Sequence, residues 1–192
     1  MKISVLHLLT LSAAGLFLLA ANAAPLPSGA ELGPNGIVKI AGMNFQPILF
    51  GTGFKQTNLT AKHADLLSNG EAVQAQTSFT GGKMKVVLTA EGQDSFDYDA
   101  EVKFDRETEI LGLMLSVLVP ETGKLLIPGK KTDFPPYDPK RTTLLQATCK
   151  TLSIVSADGK RVDISGDITA RIIDRRGKGA GNFELRLYFS PG

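Results

Sequence analysis

Phe96, Tyr98, Ala100, Val102 and Phe104 alternate with Asp97, Asp99, Glu101, Lys103 and Asp105, and no other feature of the sequence constrains the fold as tightly. A period of two sends successive side chains to opposite faces of an extended strand. One face is then aromatic and aliphatic and the other charged, which suits a strand with a core on one side and water on the other. The pattern returns near the end of the chain, where Phe183, Leu185, Leu187 and Phe189 are interleaved with Glu184, Arg186 and Tyr188.

Between and before these two segments, further strands are predicted over residues 37–41, 48–50, 72–79, 84–90, 110–119, 124–127, 144–155, 161–165 and 168–174. Turn chemistry separates them. Asp158-Gly159 suits a two-residue type I′ turn, which needs positive φ at both central residues and would set Val155 opposite Val162. Gly81-Gly82 turns another hairpin, and Gly177, Gly179 and Gly181 loosen a third. Only residues 61–67 carry a helical pattern, and so short a helix needs packing to persist. Many short strands at this spacing predict an all-β domain, an antiparallel two-sheet β-sandwich.

The first residues follow a different logic. Lys2 is a positive start, residues 5–21 are largely apolar, and Ala21-Asn22-Ala23 is a small-x-small site before Ala24. The apolar run approaches the roughly 20 residues that span a bilayer, but Thr10, Ser12 and Gly15 interrupt it. Residues 1–23 are therefore expected to be a signal peptide cleaved after Ala23, which sends the protein to the periplasm or outside the cell with no membrane span left. No cysteine follows the apolar run to carry a lipid, and no twin arginine precedes it. Pro25, Pro27, Gly29, Gly33, Pro34 and Gly36 make residues 24–36 a flexible leader, with the sandwich over 37–192.

Charge and residue usage exclude several functions. The 21 Lys and Arg less Lys2 leave 20 basic residues against 19 acidic, so the excess positive charge that drives phosphate-backbone binding is absent, and no nucleic-acid partner is expected. Cys149 is the single cysteine, so no intramolecular disulfide forms, and its place in a strand fits a small apolar core residue. Once His7 leaves with the signal peptide, His63 is the remaining imidazole. It lies beside no Gly-x-Ser-x-Gly elbow, so a nucleophilic triad is not supported. One histidine and one cysteine do not make a zinc site.

Asp94, Asp97, Asp99 and Glu101 are the densest carboxylate cluster. A straight strand fans such groups out in a line instead of wrapping them round calcium, and they read as a solvated face that discourages edge aggregation. No metal or cofactor is expected. The 19 acidic residues could hide a facing pair of the glycosidase type, but no pair is singled out. Gly51, Gly53 and the later glycines lack the strand-to-helix context of a dinucleotide fingerprint. Asn58-Leu59-Thr60 is a glycosylation sequon that matters only in a host that glycosylates.

The segment 129–140 holds the candidate binding residues. Phe134, Pro135, Pro136, Tyr137, Asp138 and Pro139 set two rings and a carboxylate among rigid prolines, which can present a ring to a sugar or a protein surface at low entropic cost. The competing expectation is that Phe134 and Tyr137 tuck inward and staple the loop, because buried ring area is worth more than an exposed ring. Tryptophan, the usual sugar platform, is absent.

The run 168–192, with Asp174-Arg175-Arg176-Gly177 followed by Phe183-Glu184-Leu185-Arg186-Leu187-Tyr188-Phe189-Ser190-Pro191-Gly192, resembles the closing hairpin of β-sandwich accessory domains that precede catalytic barrels in large secreted bacterial glycoside hydrolases. The stretch 115–128, with Val119-Pro120 and Leu126-Ile127-Pro128, is similar to the middle of those domains. The resemblance spans about residues 72–192, carries structural motifs only and transfers no catalytic residue, since the barrel is absent. It implies an exported, non-catalytic, carbohydrate-associated module that binds glycan or packs against a glycosidase. The alternatives are a small secreted glycan hydrolase with an unidentified carboxylate pair, and a structural or assembly protein of the cell envelope that uses exposed strand edges. Oligomeric state leaves no trace in the sequence.

Overall fold

The alternation of β10 (Ser95–Phe104) is realised in three dimensions: Phe96, Tyr98, Ala100 and Val102 are buried, while Asp97, Asp99 and Glu101 reach the surface in part. The computed structural model describes residues 2–11, 24–25, 29–52, 56–57, 65–68, 70–91, 93–130, 134–178 and 181–189. The cleavage site at Ala21-Asn22-Ala23, the sequon at Asn58, His63, Gly53 and residues 190–192 lie outside these.

Among the described residues strands dominate and helix is limited to short 3-10 turns, so the layers available to bury apolar faces are sheets. The fold is an antiparallel two-sheet β-sandwich. In chain order the strands are β1 (Lys2–Leu11), β2 (Ala24–Pro25), β3 (Glu31–Leu32), β4 (Val38–Ile40), β5 (Met43–Gly51), β6 (Gln56–Thr57), β7 (Asp65–Ser68), β8 (Ala72–Phe79) and β9 (Gly82–Ala90). After β10 come β11 (Ile110–Pro120), β12 (Lys124–Leu126), β13 (Thr143–Val155), β14 (Arg161–Asp174) and β15 (Asn182–Phe189). Hydrogen bonding runs β2-β3-β4-β5-β11-β15-β14-β1-β10-β9-β8-β7, with β13 on β14, β12 on β13 and β6 on β5. In this path β1 alone joins the β10-β9-β8-β7 ladder to the larger one. No helix among the described residues is long and apolar enough to cross a membrane.

One apolar cluster lies between the layers. Val73 and Ala75 of β8, Met84, Val86 and Leu88 of β9, and the inward residues of β10 share it with Phe45 and Leu49 of β5, Leu115 and Val117 of β11, and Leu185 and Leu187 of β15. Phe79 and Phe104 close its end, edge to face, with centroids 5.9 Å apart. The Tyr98 hydroxyl has no hydrogen-bond partner among the described residues, and burial pushes its pKa above the ordinary phenol value. Cys149 packs against the same cluster as a partly buried free thiol, with burial raising its pKa and so favouring the unreactive protonated form.

The structure departs from the sequence expectations in four places. Residues 24–36 are not all linker: Ala30 and Leu32 are fully buried, and β3 pairs with both β2 and β4. A short apolar pair suffices to draw that segment into the core despite its prolines and glycines. Asp65–Ser68 is a strand on β8 instead of part of a helix, since pairing with an existing edge satisfies backbone groups that an isolated short helix leaves open. The expected strands 161–165 and 168–174 are one, continuous through Gly166 at φ +143°, opposite a register shift between Cys149 and Thr151 in β13.

The β13–β14 hairpin is the fourth. Ser156 N–H donates to the Lys160 carbonyl at 2.8 Å and Gly159 N–H to the Ser156 carbonyl at 3.0 Å, so three residues form the loop and Val155 pairs with Arg161, not Val162. Only Gly159 takes positive φ, at +83°, which is a type I turn closed by a bulge instead of type I′. Asp158 favours this form by accepting hydrogen bonds from the Ser156 hydroxyl and the Lys160 backbone. These contacts hold its carboxyl down to about 2.

The β8–β9 hairpin depends on Gly82. A Cβ there would overlap the Lys103 carbonyl oxygen and sit 2.8 Å from Phe79 Cζ, so strand β9 approaches β10 more closely than an alanine allows. Gly82→Ala is expected to destabilise the protein by about 1–3 kcal/mol in urea unfolding. The exposed neighbour substitution Lys83→Ala should stay within about 0.5 kcal/mol of the parent. Equal midpoints for the two variants would contradict the close approach.

Candidate functional site

Period-two alternation in β13 and β14 sorts their residues by face. Leu152, Ile154, Val162 and Ile164 go to the core, and Thr151, Ser153, Arg161, Asp163 and Ser165 go to the other side. The register Ser153↔Asp163 and Thr151↔Ser165 sets these polar residues side by side. β12 lies on the free edge of β13, with Leu126 opposite Ser153. Together with Pro128 and Lys130, which follow β12, they line a cleft of about 480 Å³.

Its polar side chains hold each other in place. Arg161 Nε donates to Asp163 Oδ1 at 2.7 Å and Arg161 Nη2 to the Ser153 hydroxyl at 3.0 Å. Ser153 in turn donates to the same Asp163 oxygen. Leu126, 43% exposed, gives the cleft an apolar lip. The arrangement places hydroxyls, a carboxylate and two cations beside aliphatic surface. Among the described residues no group of three or more His, Cys, Asp or Glu could hold a metal ion.

The structure places the sequence-predicted residues elsewhere. Phe134 stacks on Phe183, centroids 3.7 Å apart and planes 13° from parallel, so its ring packs on the core edge. Tyr137 is 49% exposed, and its hydroxyl lies against Gly177, where an added Cβ would overlap it. Asp138 is exposed and accepts from the Lys140 backbone at 2.9 Å, shaping the turn that returns the loop to β13. Lys130 thus lies beside the cleft and Phe134 and Tyr137 against the β14–β15 turn, and Phe134, Tyr137 and Asp138 do not line the cleft.

Arginines anchor that crossing. Arg176 donates to Asp174 through Nε at 3.1 Å and Nη2 at 2.8 Å, to Glu121 at 2.7 Å and to the Pro135 carbonyl at 2.6 Å. Its guanidinium also stands 4.6 Å from the Phe183 centroid, so the cation ties loop, turn and stacked rings together. One strand over, Glu184 is 4% exposed on the face opposite the core. It accepts from Arg175 Nε at 2.6 Å, Arg186 Nε at 2.8 Å and the Ser116 hydroxyl at 3.1 Å.

Burial would push the Glu184 carboxyl up, but hydrogen bonds from Arg186 and Arg175 outweigh it and the pKa lies below the ordinary value. Asp174 is likewise lowered, first by the Arg176 side-chain bond. Both carboxylates are therefore ionised at neutral pH.

A one-residue difference in register separates the expected hairpin from the one that forms the cleft. Pairing Val155 with Val162 sets Ser153 opposite Ile164 and scatters the polar groups over both faces. Requiring Leu152 and Ile154 to share a face with Val162 and Ile164 gives the observed register, so the signal was present. No protein-family model, curated protein or solved structure matches the chain.

Two outcomes follow from this geometry. Phe134→Ala should cost about 1–3 kcal/mol, through loss of the partly buried stacked ring, and Tyr137→Ala less than about 1 kcal/mol, both read by thermal unfolding; equal losses would contradict the placement of the two rings. For the acid side, the lowered pKa of Glu184 and Asp174 means that their stabilisation is complete above the unfolded carboxylate range near pH 4 and is lost as pH falls through the folded values. Stability should be level from about pH 7 to 5 and drop below about pH 4. Glu184→Gln should cost about 1–3 kcal/mol at pH 7 by unpairing two arginines and make the acid drop shallower; an unaltered acid drop would contradict the lowered Glu184 pKa.

Proposed function

We propose that the chain is an exported, non-catalytic β-sandwich module that is carbohydrate-associated and holds glycan in the cleft between the β12 edge and the outer face of β13 and β14. The observation that carries this reading is the Ser153-Asp163-Arg161 network, whose members fix one another beside the aliphatic lip of Leu126. Pre-organised donors and acceptors lose little entropy on binding, and a cleft of about 480 Å³ suits one or two sugar rings in size. The signal-like residues 1–23 support export with cleavage after Ala23.

A hydrolytic role is less well supported. Glycoside hydrolysis uses one carboxyl kept protonated near neutral pH opposite a second carboxylate. In this protein the most buried carboxylates, Asp174 and Glu184, are held ionised by arginines, and Asp163 is fixed by Arg161. Asp174 and Glu184, held ionised in this way, do not serve as the protonated acid.

Glycan-array screening of the processed protein, followed by calorimetry on the retained sugars, tests the reading. Asp163→Ala and Arg161→Ala should each weaken retention by roughly tenfold or more, the loss expected when a charged hydrogen bond to ligand is removed, and should leave no turnover to lose. Retention abolished by Tyr137→Ala but untouched by Asp163→Ala would move the site to the loop, and no retention of any glycan would overturn the reading.

A further inference from the structure

β1 occupies a slot with two walls. On one side Ile3, Leu6 and Leu8 take register positions opposite Ala100, Tyr98 and Phe96 of β10. On the other, Leu8 and Thr10 stand opposite Ile164 and Val162 of β14. All five wall residues are core residues, at most 4% exposed. The register shift between Ile3 and Leu6 keeps both leucines and the isoleucine opposite inward-facing positions. The segment that satisfies the backbone of two sheet edges is thus the same segment whose sequence marks it for removal.

We propose that in the processed chain this slot accepts an extended strand donated by a separate polypeptide, apolar at alternate positions and antiparallel to both β10 and β14. The proposal rests on cleavage after Ala23. Withdrawal of β1 uncovers unpaired N–H and C=O groups on two neighbouring edges, and with them the apolar walls, an arrangement that strand addition satisfies. The outward residues of β10 give the donor its polarity. Asp97 and Glu101 take register positions opposite His7 and Lys2, and Asp99, at the bulge, has one buried carboxylate oxygen without a partner among the described residues. A basic outer row on the donated strand complements all three.

A second copy of the chain is a poor donor. Its segment 24–36 carries Pro25, Pro27 and Pro34, which lack N–H groups, and two of its apolar residues, Ala30 and Leu32, are buried in its own core.

The test uses protein purified from the envelope after export and a synthetic peptide with the sequence of residues 2–11. N-terminal mass spectrometry comes first. A chain beginning at Ala24 whose slot-facing amides in 95–101 and 161–165 exchange rapidly, and slow by about tenfold or more when the peptide is added, fits the proposal. The same peptide carrying Leu6→Asp and Leu8→Asp should give no protection. If the processed chain aggregates, refolding with the peptide but not with its doubly substituted form should recover soluble protein, and recovery with neither would overturn the proposal. Amides already protected in a chain starting at Ala24 would overturn the slot while leaving export intact. An exported chain still starting at Met1 would overturn both, because the slot would remain filled from within.

Discussion

Backbone groups along a sheet edge must be paired, covered or left to water, and in this fold that requirement concentrates on two facing edges. The β10-β9-β8-β7 ladder and the larger ladder enclose one apolar cluster, so neither can bury its inner face alone. Antiparallel hairpins settle most edges locally: β8 with β9, β9 with β10, β13 with β14, β14 with β15. The remaining junction between β10 and β14 has no hairpin to close it, and a distant segment fills it. The apolar walls at Phe96, Tyr98, Val162 and Ile164 make that junction the place where stability and partner recognition can be coupled.

Polar chemistry is distributed over the outer faces by the same alternation that builds the core. On β13 and β14 it yields the cleft with its Ser153-Asp163-Arg161 network. On β15 it yields Glu184, clamped by Arg175 and Arg186, and at the turn before β15 Arg176 binds loop and strand together. These two arginine clusters differ in purpose. The first lines a cleft beside an aliphatic lip, whereas the second ties the loop to the strand and fixes the Phe134 ring on Phe183.

Much of this was legible from residue order. The inward sets of β10 and β15 follow directly from alternation, and β8 matches its expected span of 72–79. What escaped depended on long-range pairing. The expected leader holds Ala30 and Leu32, too few apolar residues to register as a strand, yet the sheet edge at β4 recruits them. The turn at Asp158-Gly159 was recognised, but its length turns on whether Asp158 takes positive φ, and one residue of slip hid the cleft. The sequence marks Phe134 and Tyr137 as two rings among prolines, while their separation into a stacked ring and a half-exposed one is set by Arg176 and Gly177 across the fold, which local sequence does not encode. The slot at β1 is a property of two edges meeting, with no sequence signature of its own.

Two ladders that share one core fold as one unit. Tryptophan introduced at Phe79 in the smaller ladder and, separately, at Phe134, which stacks on Phe183 of the larger, reports on each by fluorescence during urea unfolding of the full chain. A shared core predicts coincident transitions with the same midpoint and slope from both probes, once each variant is referenced to its own circular dichroism. Two separated transitions, with one ladder melting while the other holds, would contradict it.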